Sequence, residues 1–141
     1  MMSFSTFSVN AADGMIKIES QFNVKTTADR LENILKEKGM TIFNRIKHSE
    51  SAEKVGIQLN KTELIIFGNP KAGSPLMKCQ QTIAIDLPQK ALVWEDGNNT
   101  VWVSYNDMRY LEKRHDVKGK TGSLRPVRRV VAGFTIETCE S

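Results

Sequence analysis

The spacing of apolar positions changes period several times along this chain. Ile16, Ile18, Phe22 and Val24 interleave with Lys17, Glu19, Gln21 and Asn23, the two-residue alternation of a strand with one wet face. Ala28, Leu31, Ile34 and Leu35 then recur at helical spacing, and Gly39 supplies a left-handed stop. Thr26 is expected to cap this helix, with Asp29 beside its positive end. Met40 to Lys47 returns to strand through Ile42, Phe43 and Ile46, and Ser49 or Ser51 is expected to open a short helix ending near Gly56. Leu64-Ile65-Ile66-Phe67 is a solid apolar run between turn-forming flanks, the pattern of a strand buried on both faces.

Gly68-Asn69-Pro70 ends that strand. Gly73-Ser74-Pro75 is expected to open a helical element carrying Leu76, Met77 and a packed Cys79. Ile83, Ile85 and Leu87 follow, closed by Pro88. Ala91-Leu92-Val93-Trp94 and Val101-Trp102-Val103-Ser104-Tyr105 flank Asp96-Gly97-Asn98-Asn99, the turn chemistry of a hairpin. Asn106 or Asp107 is placed to cap a last helix whose Met108, Leu111 and His115 share a face.

Strand, helix, a run of strands with helical inserts and a closing helix predict an α+β domain, an antiparallel sheet with helices packed on one face. The domain is expected over residues 15–117. Residues 1–14 are Ser-rich and aperiodic and predict a flexible arm. Residues 118–141 form a basic extension, apolar enough from Val127 to Ile136 to add an edge strand.

Composition changes this picture little. A chain of 141 residues with 40% hydrophobic composition can bury one core without metal or disulfide staples. Cys79 and Cys139 form neither a ligand pair nor a disulfide framework, and no signal peptide opens the chain, so a cytoplasmic setting is expected. No stretch approaches the roughly 18 apolar residues of a membrane span, and no membrane partner is expected. The net charge is +4, and Lys118, Lys120, Arg125, Arg128 and Arg129 place much of the excess on the tail. With the basic residues there and not on a sheet face, nucleic acid is not expected as a partner.

Several motifs together point to a family. His48 with Ala52 and Gly56, Leu64-Ile65-Ile66-Phe67-Gly68-Asn69-Pro70, Gly73-x-Pro75-Leu76-Met77, Ile85-Asp86-Leu87-Pro88 and Tyr105-Asn106-Asp107 resemble the bacterial and archaeal domain-of-unknown-function family 302. The resemblance covers roughly residues 15 to 117. It implies a curved antiparallel sheet in a β-α-β4-α order, related to the TATA-binding-protein-like folds. It implies no settled activity.

Candidate chemistry is sparse. Gly68-Asn69-Pro70-Lys71-Ala72-Gly73-Ser74 superficially follows a phosphate loop, but Ser74 follows Gly73 directly, without the lysine that reaches the phosphates. Its glycines more simply permit a tight turn, and Lys71 with Ser74 could help a helix end hold an anion. His48 is a candidate base, with Asp86, Asn69 and Asp107 as the motif residues available to join it. No His/Cys/carboxylate cluster has metal-ligand spacing, and neither a metal nor another cofactor is expected. The pattern favours a non-enzymatic binding or self-association module, a homodimer formed through the sheet with its hairpin aromatics. One alternative is a binder of a small apolar or anionic molecule between sheet and helix. The other is an enzyme using His48 with Asp86.

Overall fold

The computed structural model describes residues 9–12 and 14–117. In chain order they form β1 (Val9–Ala12), β2 (Met15–Ser20), α1 (Val24–Glu37), β3 (Thr41–Lys47), α2 (His48–Lys54), β4 (Thr62–Gly68) and α3 (Pro70–Cys79). A 3-10 helix (Gln81–Ile85), β5 (Gln89–Glu95), β6 (Val101–Asn106) and α4 (Met108–Arg114) complete it. From β2 onward this is the expected β-α-β4-α order, with α2 and α3 as inserts. The strands make one antiparallel sheet in the order β1-β2-β6-β5-β4-β3. β1 lies inside the segment 1–14 expected as a flexible arm, and pairs with β2. Residues 1–8 and 13 of that arm and the extension 118–141, with its expected edge strand, lie outside the described residues.

Alternation sorts the sheet into two faces. Ile18, Ile65, Phe67, Ala91, Val93, Val101, Val103 and Tyr105 pack with Val24, Ala28, Leu31 and Leu35 of α1 as the main core. Fully burying each such aliphatic or aromatic side chain contributes about 1.5–3 kcal/mol. β4 therefore has one buried face, not two: Glu63, Ile65 and Phe67 are buried while Leu64 and Ile66 are only half-buried. On that outer face Trp94 stands directly opposite Trp102. Lys17 Nζ lies 3.9 Å from the Trp102 ring centre, a cation–π contact.

The cap of α1 falls three residues earlier than Thr26. Asn23 is extended, and its side chain accepts from the Thr26 N–H at 2.7 Å. Asn is the stronger cap, and the earlier start lets the helix bury Val24 and Thr27. Buried Thr27 is paired with the Ser20 hydroxyl at 2.7 Å. Arg45 ties the other end of the layer together: its Nη1 donates to Asp29 at 2.6 Å and Glu32 at 3.1 Å, and its Nε to Glu63 at 2.8 Å. The short α2 starts at His48, with Ser49 inside it; the Ser49 hydroxyl accepts the Thr62 N–H at 3.1 Å.

A second cluster of Leu76, Ile83, Met108, Leu111 and Val117 joins α3, the 3-10 helix and α4. Cys79 is exposed and not packed: it is the last residue of α3, and the buried cluster takes Leu76 before it and Ile83 of the 3-10 helix after it instead. The hairpin turn follows its residues: the Asp96 carboxylate accepts from the N–H groups of Asn98 and Thr100, and from the Trp102 indole.

Candidate functional site

Where β4 runs into α3, opposite the start of β5, the chain leaves a cavity of about 210 Å³. Its wall takes Phe67, Gly68 and Asn69 from the end of β4, and Pro70, Ala72, Gly73, Ser74, Leu76 and Met77 from α3. Leu87, Pro88 and Gln89 close it from the entry to β5, Met40 and Phe43 from β3 and the residue before it, and Met108 from the start of α4. Three of these residues are methionines, whose unbranched thioethers let a wall adapt to its occupant.

The local sequence makes this wall. Asn69 caps α3 in an extended conformation, and Pro70 takes the first helical position, where a missing N–H costs nothing. The helix thus starts at Pro70, three residues before the expected Gly73. Neither Gly68 nor Gly73 has a left-handed backbone; Gly68 ends the strand and Gly73 sits inside the helix. Asn69 and Pro70 make the turn instead.

The same cap uses up the helix end. The Lys71 N–H donates to Asn69 Oδ1 at 3.0 Å, the Ala72 and Gly73 N–H groups donate to the Asn69 carbonyl, and Pro70 has no N–H. Those first-turn donors are not free for an anion. Asn69 and Ser74 line the cavity, whereas Lys71 is exposed on the helix and does not.

The remaining candidates are not brought together. His48 is exposed at the start of α2, just after Lys47, which pairs with Glu63 at the beginning of β4. Asp86 precedes Gln89, which pairs with Phe67 near the other end. The two sites are separated by about 13–17 Å of strand. Asp86 has a different histidine: its Oδ2 lies 2.5 Å from His115 Nε2, and Arg114 Nη1 donates to both its oxygens at 2.9 and 3.0 Å. His115 Nδ1 lies 3.1 Å from the Thr82 hydroxyl. This cluster clamps the end of α4 onto the 3-10 helix. Asp107 caps α4, accepting the Arg109 N–H at 2.9 Å.

Sequence reasoning passed over Gln89. It is 5% exposed in the cavity wall; its Nε2 donates to the Met108 sulfur, and its Oε1 is buried without a hydrogen-bond partner. A glutamine opening a strand carries no signal of that kind. Among the described residues, no group of three or more His, Cys, Asp or Glu side chains could hold a metal.

An antiparallel α+β domain with an apolar cavity at one end of its sheet is thus the class that fold and site define. The chain belongs to the family Domain of unknown function DUF302, whose model matches residues 16–132. It is similar to the crystal structure of the uncharacterized conserved protein DUF302 from Bacillus stearothermophilus, with a TM-score of 0.80 over 92% of this chain and 100% of that one. At 16% identity that likeness concerns the fold alone. In sequence it is 43% identical over 104 residues to Fluoride-specific ion channel FluC 1 of Brucella suis biovar 1 (strain 1330), and equally to FluC 1 of Brucella abortus biovar 1 (strain 9-941). The match spans 74% of this chain but 41% and 38% of those proteins. None of the helices among the described residues is long and apolar enough to cross a membrane.

Proposed function

We propose that this domain is a non-enzymatic binding module that takes a small apolar molecule into the cavity between β4, α3 and the start of β5. The observation that carries this is the cavity itself, about 210 Å³ walled mostly by Met, Phe, Leu and Pro. A dry cavity of about 150 Å³ accepts benzene, so the space here suits a substituted benzene or a small bicycle. Water gains little in such a wall, and an apolar guest gains the full transfer free energy. The enzyme reading with His48 and Asp86 has no support in the arrangement, since the two lie at opposite ends of the sheet.

The names of the Brucella relatives bear on the setting and not on the chemistry. A fluoride ion is strongly hydrated, and an apolar wall offers it no compensation. We propose that the matching part of those chains is an accessory ligand-binding domain beside the conducting part. Fluoride conduction is not assigned to this chain.

Self-association is a second reading. It is favoured by Val55, Ile57 and Leu59, which are 72%, 59% and 46% exposed on one loop, near the half-buried outer face with Trp94 and Trp102. Native mass spectrometry of the protein as purified separates the two. A discrete small adduct lost on denaturation supports the cavity reading, and a bare dimer supports self-association. A bare monomer that also fails to take up 4-ethylphenol at millimolar concentration removes the cavity reading.

A further inference from the structure

Away from the cavity, the 3-10 helix and the end of α4 bring a hydroxyl, an imidazole and a carboxylate together. Thr82 is exposed, and its Oγ1 lies 3.1 Å from Nδ1 of His115. The other ring nitrogen, Nε2, lies 2.5 Å from Asp86 Oδ2. Arg114 Nη1 donates to both Asp86 oxygens at 2.9 and 3.0 Å, which holds the carboxylate in place. An ionised carboxylate only accepts hydrogen bonds, so Nε2 carries the proton of the neutral ring. Nδ1 is then a bare lone pair, and the Thr82 hydroxyl donates to it. The His115 side chain is 6% exposed, so the base is shielded from water while its hydroxyl partner is open to it. Side chains three apart eclipse in a 3-10 helix, and this places Ile85, 72% exposed, on the same face as Thr82.

We propose that Thr82 is an acylation site, its hydroxyl activated by His115, which takes the acyl group of an activated ester. A hydroxyl on a base, with the base oriented by a third group, is the arrangement of an activated nucleophile. Either imidazole nitrogen can serve as the base, and here it is Nδ1. Thr82 Oγ1 forms a bond to the ester carbonyl carbon as its proton passes to Nδ1. The bond from that carbon to the leaving oxygen then breaks, and the proton passes from Nδ1 to the departing oxygen. Asp86 accepts from the Nε2–H throughout and stabilises the imidazolium formed between the two steps. It is a positioning residue and touches no reacting atom. Ile85 offers apolar surface beside the hydroxyl, which favours a donor with an apolar acyl or leaving group. The reaction modifies the chain itself, at a site separate from the cavity, and does not depend on the binding reading above.

The test is acetylation of the full chain by p-nitrophenyl acetate, quenched in acid and mapped by peptide mass spectrometry. Thr41, exposed at the start of β3, is the internal control for an ordinary threonine hydroxyl. Thr82 is expected to react about a hundredfold faster than Thr41 or more, the contribution of a positioned base. Neutral hydroxylamine should remove this acetyl group, an ester, and leave acetylated lysines intact. Thr82→Val should abolish the fast release of p-nitrophenol. Asp86→Asn, checked for its fold by circular dichroism, should lower the Thr82-to-Thr41 ratio about tenfold or more. A Thr82 rate no different from that of Thr41, with no p-nitrophenol release that Thr82→Val removes, would overturn the proposal. An unchanged ratio in folded Asp86→Asn would also overturn it, by showing that exposure alone sets the reactivity. The wild-type ratio needs no variant, so a substituted chain that failed to fold would not protect the proposal.

Discussion

Gly73 is where the cavity and the stability of α3 make opposite demands. It is the fourth residue of the helix, where glycine costs about 1 kcal/mol relative to alanine. A Cβ built there would lie 3.8 Å from Leu87 Cδ1 and 3.9 Å from Met77 Cε, ordinary contact with no displacement needed. Gly73→Ala should therefore stabilise the domain by about 1 kcal/mol, raising the melting temperature by roughly 3–5 °C for a chain of this size. Leu87 and Met77 are both cavity residues, so the same methyl narrows the space a guest would occupy. Binding of 4-ethylphenol should weaken severalfold while the protein becomes more stable. Thermal unfolding followed by circular dichroism reads the first effect, and titration calorimetry the second. A melting temperature lowered by about 2 °C or more would refute the reasoning, since it would mean that α3 is not a regular helix at Gly73 or that its contact with Leu87 has no room. Higher stability with unchanged binding would place the guest elsewhere.

Three other perturbations test separate links. Gly68→Val should destabilise by about 1–3 kcal/mol by overpacking, because a Cβ already meets Pro88 Cβ at 3.4 Å and Phe43 Cε2 at 3.5 Å; Gly68→Ala should be near neutral, and equal urea midpoints for both variants would remove the argument. Asp86→Asn should cost about 1.5–3 kcal/mol by weakening the pairing with buried His115, and an unchanged melting temperature would show that the clamp holds nothing. Hydrogen bonds from Lys25 and Arg45 hold the Asp29 carboxyl below its ordinary value of 3.8, and hydrogen bonds from Lys36 and, less strongly, Arg45 hold Glu32 below 4.5. A depressed carboxylate adds stability above its unfolded value and loses it as pH falls through its folded one, so unfolding free energy should decline below 4.5 and further below 3.8. Urea unfolding of Arg45→Met should show a shallower acid decline than wild type, and identical profiles would exclude Arg45 as the cause.

The sheet was legible because its signals are local. The alternation at Ile16–Glu19, the hairpin turn at Asp96–Asn99 and the helical spacing of Ala28, Leu31 and Leu35 each depend on neighbours in the chain. Errors arose where two local signals competed. Thr26 and Asn23 are both sound caps, and the choice between them depends on whether Val24 is buried, a tertiary fact. The run Leu64–Phe67 looks the same whether one face is covered or two, and only the position of α1 decides that Leu64 and Ile66 stay half-buried.

The site was largely illegible, because its parts meet across the chain. Met40, Met77 and Met108 come from three separate elements, and each alone is an ordinary core position. Asp86 and His115 are 29 residues apart, a separation that carries no pattern, so the motif histidine at position 48 was the partner that sequence offered. The loop 68–74 shows why even a local motif can mislead. Its glycines and serine suggest an anion cradle, yet Asn69 and Pro70, standing between them, determine the outcome: one accepts the first free amide and the other has none. The helix end is thereby closed to anions. Its flank, free of any charge to hold, supplies Pro70, Ala72, Leu76 and Met77 to an apolar wall. The residues that close the helix end to an anion are thus among those that wall a cavity for an uncharged guest.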